Sequence, residues 1–227
     1  MPAPARAGRV INLTFHGIGK PAAGADGGEA DVWLTAGQFE SALDAVAERD
    51  DVRITFDDGN ASDLELALPA LERRGLRATF FVVTDRLGQA GYLDAEAVRT
   101  LVSSSMHIGC HGMRHRSWRG LSDAELREEV VSAREQLQEA AGHEITAAAC
   151  PFGAYDRRVL GALRRYGYER VFTSDGGAVA GDRWLQPRTS LRHDDWLATI
   201  QASLAQAPPS PRARLTRQAK LTVKRWR

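Results

Sequence analysis

Short β-rich runs alternate with helical segments along most of this chain, and that alternation limits its fold more than any other feature. Residues 9–15, 52–56, 78–83, 107–109, 146–149 and 171–173 read as strands, with a late strand at 185–188. Strands separated by helices build a parallel sheet of the α/β class. Three helices announce their starts by a side-chain oxygen followed three residues later by Glu or Gln: Thr35 with Gln38, Ser62 with Glu65, and Ser122 with Glu125. From Ser122 to about Ala141, Leu126, Val130, Ala133, Leu137 and Ala141 share one face, as in an outer helix lying on a sheet. The Gly-rich segment 22–30 reads as a loop after the first strand. No repeat or linker interrupts residues 1–207, so one domain is expected there, followed after Pro208, Pro209 and Pro211 by a separate tail, 208–227.

Two adjacent carboxylates, Asp57 and Asp58, emerge with Gly59 where the second strand ends, the place where α/β folds put their sites. Side-by-side acids repel, and a cation resolves the conflict by binding one while the other stays a free base. Alone, the triplet is better read as an N-cap or an Asp-Gly turn. After the strand at 107–109 come His111 and His115, four apart, which one helical turn or a tight loop can aim at a common ion. With a carboxylate they make a set of two His and one acid that leaves coordination positions open, as catalysis requires. A third strand-end feature, Pro151-Phe152-Gly153, is a rigid turn able to expose backbone N–H groups.

Taken together and in this order, TFDDG at 55–59, HxxxH at 111–115 and PFG at 151–153 resemble the polysaccharide deacetylase family, the NodB-homology carbohydrate esterases. The likeness extends through ATFFVV at 78–83, IGCHGMRH at 108–115 and LS at 121–122. It implies a distorted (β/α)7-type barrel and a hydrolase acting on C–N bonds other than peptide bonds, removing N-acetyl or occasionally O-acetyl groups from sugars. Carried over by position, Asp57 matches the general base, and Asp58, His111 and His115 match the ligands of one divalent ion, most often Zn, with Co, Ni and Mn open. The backbone N–H of Phe152, flanked by Pro151 and Gly153, matches the oxyanion donor.

The chain departs from the family pattern in two places. The Arg that usually stands two residues before the motif proline is Ala149 here, and Arg188 on the late strand is the candidate replacement, with a surface or salt-bridged Arg as the competing reading. The usual C-terminal Leu-x-Leu-His is missing. His16, ending the first strand in the Leu13–Gly17 run, is the candidate general acid, and His193 is its rival. Asp194 and Asp195 read as helix N-terminal residues. Cys110 and Cys150 each precede a motif residue and read as neighbours at the barrel mouth or as small buried side chains.

With 30 basic against 29 acidic residues the chain is no polycation, and no nucleic-acid partner is expected. Seven of those bases and none of the acids fall in 208–227, where Leu215, Ala219, Thr222 and Trp226 can share a helical face, suiting peripheral contact with an anionic membrane or a protein. Neither a signal-peptide core nor a spanning segment is legible, so the expected location is cytoplasmic, including the inner membrane face. The expected substrate is an N-acetylated sugar or glycan, nucleotide-linked and lipid-linked forms included. Two alternatives stay open: a noncatalytic carbohydrate-binding relative, and a hydrolase of a non-sugar amide. The loops at 18–33 and 84–92 are where substrate selection is expected.

Overall fold

Residues 8–21 and 30–205 are described by a computed structural model. The loop reading at 22–30 therefore falls almost wholly outside the described residues, as does the basic tail. Seven parallel strands close into a barrel: β1 (Arg9–Phe15), β2 (Val52–Asp58), β3 (Ala78–Val82), β4 (His107–Cys110), β5 (Ala147–Ala149), β6 (Arg170–Thr173) and β8 (Leu185–Ser190). Closure comes from β1, which pairs with β2 from Ile11 opposite Val52 to Phe15 opposite Phe56, and with β8 from Asn12 opposite Arg188 to Thr14 opposite Ser190. A two-residue β7 (Val179–Ala180) runs antiparallel to the start of β1. Outside the barrel lie α1 (Ala36–Asp44), α2 (Leu68–Arg73), α3 (Ala95–Ser103), α4 (Asp123–Arg127), α5 (Ala133–Ala141), α6 (Arg157–Arg165) and α7 (Trp196–Leu204). Among the described residues, no helix is long and apolar enough to cross a membrane.

Because side chains alternate along a strand, the barrel wall has two cores. Toward the helices, Phe15, Phe56 and Phe80 stack in sequence with centroid separations of 5.3 and 4.6 Å, and Phe39 of α1 closes edge-on against Phe15. The interior is divided. Phe81, Ala149 and Phe172 form a small apolar cluster, while the β8–β1–β2 side is polar, with Asn12 donating to Gln186 at 3.1 Å and Thr14 meeting Thr55 at 3.0 Å. A polar half-lining lets a charged side chain lie inside the barrel.

Two of the three expected caps form. Thr35 and Ser122 each make reciprocal capping boxes with Gln38 and Glu125. Ser62 does not cap. Its Oγ accepts instead from the N–H of Ile18 at 3.1 Å, tying the β2 exit to the loop after β1, and Glu65 is exposed. The helix over 122–141 buries the expected face, but a π-helical turn, Glu128–Ser132, interrupts it between α4 and α5. The extra residue in that turn has a function at the site.

Candidate active site

All the motif residues lie at the C-terminal ends of the strands. Strand β2 runs through Asp57 and Asp58, beyond the expected end at Phe56. Asp57 shares the inward side of β2 with Thr55, and Arg188 reaches it from β8 across the intervening β1. The guanidinium grips both carboxylate oxygens, Nη1 to Oδ1 at 2.5 Å and Nη2 to Oδ2 at 2.7 Å, and also lies 5.0 Å above the ring of Phe81. Both partners are buried. Burial alone would raise the Asp57 pKa, but the charges of Arg188 and His111 and the Arg188 hydrogen bonds outweigh it and hold the carboxyl well below the usual range. Asp57 is thus an ionised acceptor. Arg188 is therefore not at the surface: it is buried and ion-paired with Asp57.

In a regular strand Asp58 would face away from Asp57. Left-handed φ values of +80° at Asp58 and +73° at Gly59 break the alternation, and Asp58 Oδ1 comes 3.2 Å from Nε2 of His115 and 3.8 Å from Nε2 of His111. His111 and His115 are presented by a tight loop, not a helical turn, with His115 itself at φ +51°. Of the four described non-glycine residues with positive φ, Asp58, His115 and Phe152 belong to this site, so backbone strain concentrates where the chemistry is placed.

These residues suit a cation. One donor atom from each of Asp58, His111 and His115 lies within 4.8 Å of the others, and the buried Asp58 Oδ1 has no hydrogen-bond partner. Nδ1 of His111 sits 2.9 Å from the carbonyl oxygen of Ala149, which can only accept, so Nδ1 donates there and Nε2 is the ring nitrogen turned toward Asp58. Burial lowers the His115 pKa to about 4, which leaves that imidazole neutral and ready to ligate. From the loop after β3, Arg86 approaches Asp58 Oδ1 at 3.5 Å and lies 4.9 Å over the ring of Tyr92.

Two buried acids at the site escaped the sequence reading. Glu129, at zero exposure, accepts from the N–H groups of Met113 at 2.9 Å and Arg114 at 3.3 Å and from Nε of Arg116 at 3.0 Å. It braces the whole His111–His115 loop. Gly112, at φ +87°, leaves the room, since a Cβ there would come 2.6 Å from Glu129 Oε2. The π-helical turn carries Glu129 inward, an orientation that regular helical spacing does not announce. Asp63 is also fully buried, and neither carboxylate oxygen has a hydrogen-bond partner. Burial, then the charges of Asp58 and Asp57, raises its pKa well above the usual carboxylate value.

Pro151–Gly153 forms a 3-10 turn. Such a turn leaves its first N–H groups without internal partners, so the N–H of Phe152 is the first available, Pro151 having none. Phe152 has φ +56° and is 68% exposed, and its ring packs 4.7 Å from the ring of His115. Gly153 is obligatory, since a Cβ would meet Ser174 at 2.7 Å. His16 Nδ1 is buried without a partner. Burial lowers the ring's pKa, and Asp57, Asp58, Arg188 and His111 all act on it, which places His16 at the site. His193 is exposed, its N–H bound to the carbonyl of Asp31. Asp194 and Asp195 are exposed too, and Asp195 makes no side-chain cap at α7. Cys110 and Cys150 are free of disulfides and fully buried.

A family model described as polysaccharide deacetylase matches residues 44–171. The Bacillus subtilis protein YxkH, named for the same family, is 26% identical over 134 residues, which are 59% of this chain but only 48% of YxkH. Among solved structures, the Streptococcus pyogenes deacetylase PplD in complex with acetate superposes with a TM-score of 0.77 at 17% identity, over 88% of this chain and 100% of that one. IcaB from Ammonifex degensii gives 0.73 at 20% identity, over 86% and 97%. At these identities the superpositions establish the shared barrel.

Proposed function

The chain belongs to the polysaccharide deacetylase family, and from that premise we propose that it is a metal-dependent hydrolase releasing acetate from an N-acetylated amino sugar or glycan. The observation that carries this reading is the bidentate hold of Arg188 on Asp57 beside the Asp58–His111–His115 cluster. A pure sugar-binding protein has no use for an ionised, buried acceptor next to an open cation site.

A divalent ion, Zn or a close relative, held by Asp58, His111 and His115 would supply Lewis acidity toward water and the acetamide carbonyl. The chain's own groups do the rest. Asp57 takes the proton of the attacking water at a carboxylate oxygen that Arg188 keeps oriented. Water oxygen bonds to the acetyl carbon, and the charge that develops on the carbonyl oxygen meets the N–H of Phe152. The C–N bond then breaks with its electron pair leaving on nitrogen, which takes a proton by way of His16, and the proton held by Asp57 balances the one delivered. Acetate and a free amine are the products.

Purified protein incubated with N-acetylated oligosaccharides, a nucleotide-linked N-acetyl sugar, an O-acetylated glycan and a cyclic amide tests the substrate class. Acetate from the N-acetyl sugars supports the proposal. Turnover of the cyclic amide alone moves the protein to the non-sugar amide hydrolases, and the absence of turnover on every member favours the binding reading.

A further inference from the structure

The opposite end of the barrel is basic. Where the strands begin, a cavity of about 330 Å³ is lined by Arg53, Arg77, His107 and Arg170 and by no carboxylate. Their placement follows from the strand starts: Arg53 is second in β2, Arg77 precedes β3, and His107 and Arg170 open β4 and β6. Arg53 is half-buried and held in place. Its Nη1 donates to the carbonyl of Gly181 at 3.0 Å, and a Cβ at residue 181 would come 2.8 Å from Nη2. Burial and the like charge of Arg170 both work against its protonated form.

Three arginines lining one hollow with no acid in its wall run against the habit of this chain. Elsewhere Arg49, Arg73, Arg74, Arg114 and Arg158 each meet a carboxylate. The acid nearest in sequence to Arg53, Asp51, is already bound by Arg49 through both oxygens. Like charges gathered along a concave wall focus a positive potential. The guanidinium fork matches tetrahedral oxyanions, whose several charged oxygens can engage more than one Arg at once.

We propose that this hollow is an anion site for a phosphate or diphosphate group, free or carried on a lipid headgroup, distinct from the catalytic mouth and independent of the deacetylase reading. The test titrates the full-length protein with inorganic pyrophosphate by calorimetry at fixed ionic strength. It is compared with Arg77→Gln/Arg170→Gln, whose sites are exposed and leave the fold intact, and with Arg53→Gln. The double variant should bind pyrophosphate at least about tenfold more weakly, a loss of roughly 1.4 kcal/mol, with acetate release unchanged.

Sedimentation with phosphatidic acid vesicles, against phosphatidylcholine, separates the sources. Vesicle binding that weakens in the double variant identifies a lipid phosphate, and pyrophosphate binding that weakens without vesicle binding identifies a soluble one. Equal binding of both probes by wild type and double variant places the anion elsewhere and overturns the proposal. So does the absence of binding to either probe.

Discussion

Arg188 and Asp57 sit on β8 and β2, with β1 between them, yet they form a two-point ion pair inside the barrel, at 2.5 and 2.7 Å. The pair is buried on both sides, so neither charge has solvent to fall back on. Removing the cation strands the anion, which typically costs about 3–5 kcal/mol. Arg188→Met should therefore lower stability by an amount of that order in denaturant unfolding and cut kcat/KM through a misoriented base. A loss under about 1 kcal/mol with full activity would show that the pair matters little to either property.

Glu129 holds the loop that carries both histidines without touching either of them. Removing comparable supporting contacts typically weakens metal affinity by about 10–100-fold. Glu129→Gln keeps the shape but weakens acceptance from the Met113 and Arg114 N–H groups. Its affinity for Zn²⁺, read by chelator competition, should fall within that range while circular dichroism stays native. Unchanged affinity would mean that the loop is braced from elsewhere.

Asp63 should make stability depend on pH in a direction opposite to most acids. Its folded pKa is raised, so its favourable contribution is complete below the unfolded value near 3.8 and is lost as pH rises toward the folded value. Asp63→Asn removes that penalty. At pH 7 the metal-free variant should gain about 2–4 °C in Tm, the shift that one kcal/mol produces in a chain of this size, and should show a flatter pH profile above pH 4. A lower Tm at pH 7 would contradict the assignment.

His16 and His193 separate cleanly in the structure, and kinetics should follow. His16→Ala is expected to lower kcat by about 10²–10⁴, the usual yield of a positioned acid, with metal content intact. His193→Ala should stay near wild type, because that residue is exposed. Parallel losses in both variants would return the acid to an unassigned group.

Much of this was legible in the sequence, and the failures have physical causes. Strand runs, two capping boxes and the order DDG, HxxxH, PFG are local signals, and each holds to within a residue or two. Ser62 reads as a cap because the pattern of residues 62–65 satisfies it, but the long-range demand of the Ile18 N–H takes the hydroxyl. Glu129 and Asp63 were missed because π-helical turns, Glu128–Ser132 and Asp63–Ala67, set their direction, and no side-chain spacing announces an inserted residue. Arg188 was legible as a candidate, but its partner could be found only once β8 was known to lie beside β1.

The central claim is that Asp57 is the base of an acetate-releasing centre whose cation is held by other residues. Metal content and acetate release measured together on wild type and Asp57→Asn, with an N-acetylated oligosaccharide as substrate, test it most directly. The account predicts about one Zn²⁺-class ion per chain in both proteins, as an open three-ligand site implies, with acetate from wild type alone. Acetate release by Asp57→Asn at the wild-type rate, or a wild-type protein that takes up no ion after reconstitution, would contradict it.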